Sequence, residues 1–223
     1  NPTQFNDPND LKNYPRTEEA DLALLEKTGV DYVLMPSVED IYPQKDTRVF
    51  DLGTTDKTME GAHRPGHFNG VAQVVSRLFD IVRPERAYFG EKDFQQIAVI
   101  REMVRRYGYP VQIIACPIVR GADGLALSSR NALLTPAHRA AAPTIYGALS
   151  ENAAAARTMS VEEFRRRVVE RIDATKLLKT EYLSVVHAET LEEIDTWSDS
   201  FPMRCCIAVQ AGDIRLIDNI AIA

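Results

Sequence analysis

The strongest constraint on how this chain folds is a repeated switch of apolar spacing between Phe68 and Cys116. Val71, Val74, Val75, Leu78, Phe79 and Val82 recur at the i, i+3, i+4, i+7 positions of a helix buried along one stripe, and Pro84 closes it. Residues 86–89 read as a strand ending at Gly90, residues 92–106 as a second amphipathic helix with Ile97, Ile100 and Val104 on one face, and residues 111–116 as the next apolar strand. Helix and strand in alternation are the signature of a parallel sheet wound with crossover helices.

Upstream, Thr17 is the expected N-cap of a helix reaching Lys27, with Glu18, Glu19 and Asp21 in its first turn and Gly29 beyond its end. Residues 31–35 read as a short buried strand stopped by Pro36, and the turn-rich stretch 37–64 as loop material with one strand at 48–52. After Pro117 the pattern changes. Thr135-Pro136 opens an Ala-rich helix, and Ser160-Val161-Glu162-Glu163 spells a capping box before another. Residues 204–210 and 214–218 flank Ala211-Gly212-Asp213 as a hairpin, and with 181–187 they predict a small antiparallel sheet carrying two helices. The expected division is therefore 1–118 and 119–223.

Composition excludes several classes. An apolar fraction of 45% is ordinary for a folded protein, and 26 basic against 32 acidic residues leave a net charge of −6, the wrong sign for a nucleic-acid footprint. There is no apolar run on the scale of a membrane span and no basic segment leading into one, so the expectation is a soluble cytoplasmic protein with neither membrane nor nucleic-acid partner. Cys116, Cys205 and Cys206 form no disulfide or zinc framework, which suits a reducing compartment, and the adjacent pair in a strand sends its thiols to opposite faces. His63 and His67 are separated by Pro65 and Gly66, against a helical metal pair. GxSxG, P-loop and GxGxxG motifs are absent.

Ligands of an open α/β sheet bind beyond the carboxyl ends of its strands, where Gly90-Glu91-Lys92-Asp93 falls. Gly90 admits close backbone approach, Lys92 brings a mobile charge, and the free amides of the next helix add positive potential. In Asp123-Gly124-Leu125-Ala126-Leu127-Ser128-Ser129-Arg130-Asn131, two hydroxyls and a planar cation offer donors to phosphate oxygens. Each segment also reads as an ordinary turn or linker; two cationic segments in an acidic chain together favour a phosphate site. Gln4 and Gln96 could orient a carboxylate without neutralising it, although glutamine is as often a plain surface residue.

Asn1-Pro2-Thr3-Gln4-Phe5, Tyr14-Pro15-Arg16-Thr17, Glu60-Gly61 with Arg64-Pro65-Gly66-His67-Phe68, Phe89-Gly90-Glu91-Lys92-Asp93 with Gln95-Gln96, Asp123-Gly124-Leu125-Ala126 with Ser128-Ser129-Arg130-Asn131, and Arg215-Leu216-Ile217-Asp218-Asn219 follow one another along the chain. Together they resemble the pantoate–beta-alanine ligase family from the first residue to the last. The resemblance implies a Rossmann-like parallel-sheet domain of the nucleotidylyltransferase superfamily type, a smaller C-terminal α+β domain, and a cytoplasmic homodimer. It also implies a two-step reaction. ATP, assisted by Mg2+, adenylates the carboxylate of pantoate and releases pyrophosphate; the amine of beta-alanine then displaces AMP.

By match to the family motifs, Asn1, Gly90, Glu91, Lys92, Asp93, Val119, Leu127, Ser128, Ser129 and Arg130 are expected at ATP, with Lys92, Ser128, Ser129 and Arg130 facing the charge that develops in the reaction. Gln4 and Gln96 are expected at pantoate, Gln4 also at beta-alanine, and no metal ligand is assigned. Family members further carry a strand and a loop with a His-x-Gly-His signature that has no counterpart in residues 1–223, so the expectation is an active parent ligase and a 223-residue piece inactive alone. Two other readings stand beside this one: another adenylyl-transfer enzyme of the superfamily, which would keep AMP in its product, and a non-catalytic scaffold, which would need neither ATP nor pantoate.

Overall fold

A computed structural model of the protein describes residues 1–5 and 8–222. A 3-10 turn at Pro2–Gln4 leads into helices α1 (Pro8–Asn13), α2 (Glu18–Lys27), α3 (Val38–Ile41), α4 (Met59–His63) and α5 (His67–Val82). The alternating segment then forms β1 (Arg86–Gly90), a 3-10 turn at Glu91–Asp93, α6 (Phe94–Tyr107) and β2 (Gln112–Cys116). β1 and β2 pair in parallel, Arg86 opposite Gln112 and Gly90 opposite Cys116. Val71, Val75 and Phe79 of α5 pack with Val99, Ile100 and Met103 of α6 in one apolar core, with Ala87, Phe89 and Ile113 of the sheet against it. The expected helix start at Lys92 falls instead in the 3-10 turn, which tightens the passage from β1 into α6.

Downstream lie a 3-10 turn at Ser129–Leu133, helices α7 (Pro136–Ala141), α8 (Thr144–Ala154) and α9 (Val161–Asp173), and strands β3 (Leu178–His187), β4 (Met203–Ala211) and β5 (Ile214–Ile222). The strands form one antiparallel sheet in the order β3-β4-β5, with Ala211 opposite Ile214 across a turn whose Gly212 has φ +64°. A side chain there would be strained, which explains the glycine. Phe164, Val168 and Ile172 of α9, Ile145 and Leu149 of α8, and Val185, Cys205, Ile207 and Val209 of the sheet make a second core. Thr135 Oγ1 accepts from the His138 amide and Ser160 Oγ from the Glu163 amide, as capping residues do. The reciprocal half of the capping box is missing at Ser160, because the Glu163 carboxylate pairs with Arg166 and Arg167. The fold is thus a parallel sheet with helices followed by a small antiparallel α+β unit.

Two expected strands are not strands. Residues 31–35 join no ladder among the described residues, and Tyr32 is 93% exposed where burial was expected. Apolar residues can be placed by a local pattern, but a strand exists only where a neighbour supplies its hydrogen bonds. Residues 48–52 join no ladder either, and helix side chains hold their backbone instead: Asn69 Oδ1 accepts from the Phe50 amide, Gln73 Nε2 donates to the Arg48 carbonyl, and the Tyr107 hydroxyl accepts from the Asp51 amide. Phe50 and Leu52 are thereby buried in the first core without joining the sheet. Thr17 precedes α2 as expected, but its hydroxyl bonds the Asp21 side chain rather than capping a backbone amide.

A third, smaller cluster links the halves: Met59 and Ala98 from the first meet Val186, Leu191 and Cys206 from the second, with Phe94 and Tyr182 against them. Cys205 and Cys206 do face opposite ways, the first into the second core and the second into this junction. Burial raises both thiols, Cys206 to about 12. No helix among the described residues is long and apolar enough to cross a membrane.

Candidate functional site

A cavity of about 510 Å3 opens where the β1–α6 turn, the loop at 125–131 and β5 converge. Lys92, Asp93 and Gln96 line it from the first half, and Ser128, Arg130 and Asn131 line it from the second. Lys92 Nζ stands 3.7 Å from Asp93 Oδ1. On the opposite wall Ser128 Oγ accepts from the Arg130 amide at 3.3 Å, and Asn131 Nδ2 donates to the Ala126 carbonyl at 3.0 Å, which fixes the curl of the loop. Arg130 lies 5.5 Å from the ring centre of Tyr14, a distance at which a guanidinium is attracted to an aromatic face.

The loop bearing Ser128 and Arg130 is anchored at its root. Arg120 makes a two-pronged pair with Asp218 at 2.7 and 2.8 Å, donates to the Gly124 carbonyl at 3.1 Å, and stacks 3.7 Å over Tyr146. The Leu127 amide donates to the Val119 carbonyl. The side chains of Val119 and Leu127 are exposed and outside the cavity lining, as is Ser129, whose hydroxyl bonds Tyr14. Gly90 and Glu91 precede Lys92 without lining the cavity; the Glu91 carboxylate pairs with Arg204 at 2.8 Å.

Asn1 and Gln4 sit on the first 3-10 turn, pressed so closely onto α5 that a Cβ at Gly70 would lie 2.2 Å from the Thr3 carbonyl. Asn1 Nδ2 donates to Gln4 Oε1 and to the Gly70 carbonyl, and Tyr42 donates to Asn1 Oδ1. Neither residue lines the cavity directly, but His67, which does, shares a 2.8 Å bond with the Gln4 carbonyl. Burial, then the charge of Arg64, holds His67 below its usual pKa. A neutral ring with its proton on Nδ1 satisfies both neighbours, because Nε2 then accepts from Arg64 at 3.3 Å.

A partly buried ionic network centred on Glu60 forms the cavity's far end. Glu60 receives two bonds from Arg215 at 2.6 and 2.8 Å and one from Tyr182 at 2.9 Å; Arg215 also donates to Glu181, which pairs with His63 at 2.9 Å. Burial pushes the Glu60 carboxyl up, but Arg215, Tyr182 and Arg64 outweigh it and leave it below the ordinary value. Burial and the Glu60 charge raise the Tyr182 phenol, so it stays a donor. Among the described residues no three His, Cys, Asp or Glu side chains gather to hold a metal. The network and the Arg204–Asp218–Asn219 group were given no role by sequence reasoning. The segments Glu60-Gly61 and Arg215-Leu216-Ile217-Asp218-Asn219 carried the only available signal, since the pairing of Glu60 with Arg215 spans 155 positions.

Residues 1–221 match the family described as pantoate-beta-alanine ligase. The pantothenate synthetase of Porphyromonas gingivalis strain ATCC 33277 is 56% identical over 220 residues, covering 99% of this chain and 78% of that relative. The one from Bacteroides thetaiotaomicron is 53% identical with the same coverage. The crystal structure of pantothenate synthetase from Thermus thermophilus superposes with a TM-score of 0.93 at 46% identity, covering 100% of this chain and 80% of that one. Pantoate-beta-alanine ligase from Francisella tularensis, solved in complex with beta-gamma ATP and beta-alanine, is similar at a TM-score of 0.81 and 34% identity, over 99% of this chain and 76% of that one.

Proposed function

Because this chain belongs to the pantoate–beta-alanine ligase family, we propose that the cavity between its two halves is where ATP meets pantoate. The activity is ATP-dependent ligation of pantoate with beta-alanine. The observation that carries the assignment of the cavity is that Lys92, at the end of β1, and Ser128 and Arg130, from the other half, line one space.

A carboxylate and an ammonium form a salt in water, not an amide, so a carboxylate oxygen must first become a leaving group. In our reading the pantoate carboxylate attacks the α-phosphorus of ATP, pyrophosphate departs, and the acyl adenylate remains. Negative charge grows on the α-phosphate and on pyrophosphate during that step. Lys92, Arg130 and the hydroxyl of Ser128 stabilise it from the cavity wall, with Ser129 next along the loop, because preorganised donors act most strongly where charge develops. Gly90, Glu91, Asp93, Val119 and Leu127 contribute mainly backbone to the nucleotide, with Asn1 near it. Gln96 and Gln4 orient pantoate, and Gln4 the incoming amine of beta-alanine. The amine adds to the acyl carbon, loses a proton and expels AMP.

The donor set suits a Mg2+ ion that enters on the triphosphate, since Mg2+ keeps water and phosphate ligands and asks for only one or two carboxylates. Asp93, beside Lys92, is the carboxylate it would meet, and the ion would neutralise charge on the departing pyrophosphate. A homodimer in the cytoplasm completes the reading; three unpaired cysteines suit a reducing compartment. The test is isotope exchange between pyrophosphate and ATP in the parent ligase. Exchange that needs pantoate alone, with AMP released only when beta-alanine is added, is expected. Exchange independent of pantoate, or AMP retained in the product, would overturn the reading in favour of a nucleotidylyltransferase.

A further inference from the structure

Lys92 owes its place to a turn of only three residues, Glu91–Asp93, and the bonds that hold this turn come from the opposite half of the molecule. Asn219 of β5 is 2% exposed, and its Nδ2 donates to the Glu91 carbonyl at 2.8 Å and to the Lys92 carbonyl at 3.0 Å. Its Oδ1 accepts from Arg204 Nε at 2.7 Å. A guanidinium only donates, and a backbone carbonyl only accepts, so the amide has a single satisfactory orientation. Arg204 grips the same turn, pairing with the Glu91 carboxylate at 2.8 Å and lying 4.6 Å over Phe94.

The neighbouring residue performs the matching task on the other wall. Asp218 receives both prongs of Arg120 at the root of the loop that carries Ser128 and Arg130, and it also accepts from the Asn219 amide at 2.7 Å. Two adjacent residues of one strand thus grip both phosphate-facing loops, one through a carbonyl pair and the other through an arginine. Resting on the assignment of the cavity made above, we propose that Asn219 is a positioning residue for Lys92, and that the Asp218-Asn219 pair, itself part of the cavity lining, sets the distance between Lys92 and Arg130 through these bonds. A small displacement of a reacting cation is costly in rate, which gives such a pair leverage.

The test is a double-mutant cycle read by pantoate-dependent pyrophosphate–ATP exchange in the parent ligase. Asn219→Ala should lower kcat by roughly tenfold to a hundredfold while leaving KM for pantoate within about twofold, because Gln96 is untouched. Combined with Lys92→Ala, it should add less than about a twofold further loss, since an effect that acts through Lys92 disappears with Lys92. Equal losses in both backgrounds, or an unchanged kcat, would overturn the proposal. If the double variant falls below detection, the crystal structure of Asn219→Ala decides: a displaced Glu91–Asp93 turn supports the assignment and an unmoved one overturns it. If Asn219→Ala does not fold, Asn219→Asp carries the same comparison, being isosteric and keeping the Arg204 bond while turning an acceptor towards the two carbonyls. Absence of exchange in the unsubstituted parent ligase would instead count against the functional assignment itself.

Discussion

The two halves of the molecule are held together by different physics. In the second half β4 is paired on both edges, by β3 and by β5, and α8 and α9 cover one face of the sheet over a core that includes Phe164 and Ile207. In the first half β1 and β2 have only each other among the described residues; Tyr88 on β1 is 63% exposed, and α2 has no buried residue. There the backbone is tied down largely by polar side chains, Asn69 and Gln73 to residues 48–52 and Asp46 to Arg48 and Arg77. The comparison teaches that the half with the deeper apolar core acts as the frame, and that the half carrying Lys92 is set against it by directional bonds around a small apolar junction.

Phe164→Ala should strike hardest. The ring is fully buried and meets Trp197 edge to face at 5.5 Å, so its loss should cost about 3–5 kcal/mol, measured by urea unfolding. An unchanged midpoint would break the contrast at its stronger end. Lys92→Ala should leave that midpoint where it is and reduce pyrophosphate exchange roughly 10²–10³-fold, separating the chemistry of the first half from the stability of the second.

Acid tests the first half next. The Arg48 guanidinium hydrogen-bonded to Asp46 holds its carboxyl, against the cost of burial, at about 2 rather than 3.8. A depressed carboxyl stabilises the fold fully above its unfolded value and loses that contribution as pH falls towards the folded one. About 2 kcal/mol should therefore vanish between roughly pH 4 and pH 2, and Asp46→Asn should flatten that stretch of the stability curve. Smallest of all, Arg166→Ala should produce no measurable change in melting temperature, because its partners Glu163 and Glu170 form an exposed cluster on α9. Hydrogen exchange offers a parallel reading: β4 amides should be protected close to global unfolding, and those of α2 scarcely at all.

What could be read from sequence follows the same division between local and distant causes. α5, α6, β1, β2 and the β4–β5 hairpin were legible because periodicity, a proline stop and a turn glycine are written within a few residues of where they act. Residues 31–35 were misread because their apolar pattern is local while the ladder partner a strand requires is not. Lys92, Ser128 and Arg130 announced themselves as cationic or hydroxyl-bearing loops, and all three line the cavity. Their roles in catalysis stay with the experiments above. Asn219 offered no such cue, since nothing near it in sequence hints at carbonyls 127 and 128 positions away.

That separation has a consequence for synthesis. On the ribosome, the lysine turn emerges long before the asparagine that grips it has been translated, and the arginine loop likewise precedes its aspartate anchor. A nascent chain consequently exposes both cations without their fixed spacing, and only translation through β5 brings them into register. Products of premature termination before that point would keep the residues of the proposed nucleotide site and lack its geometry.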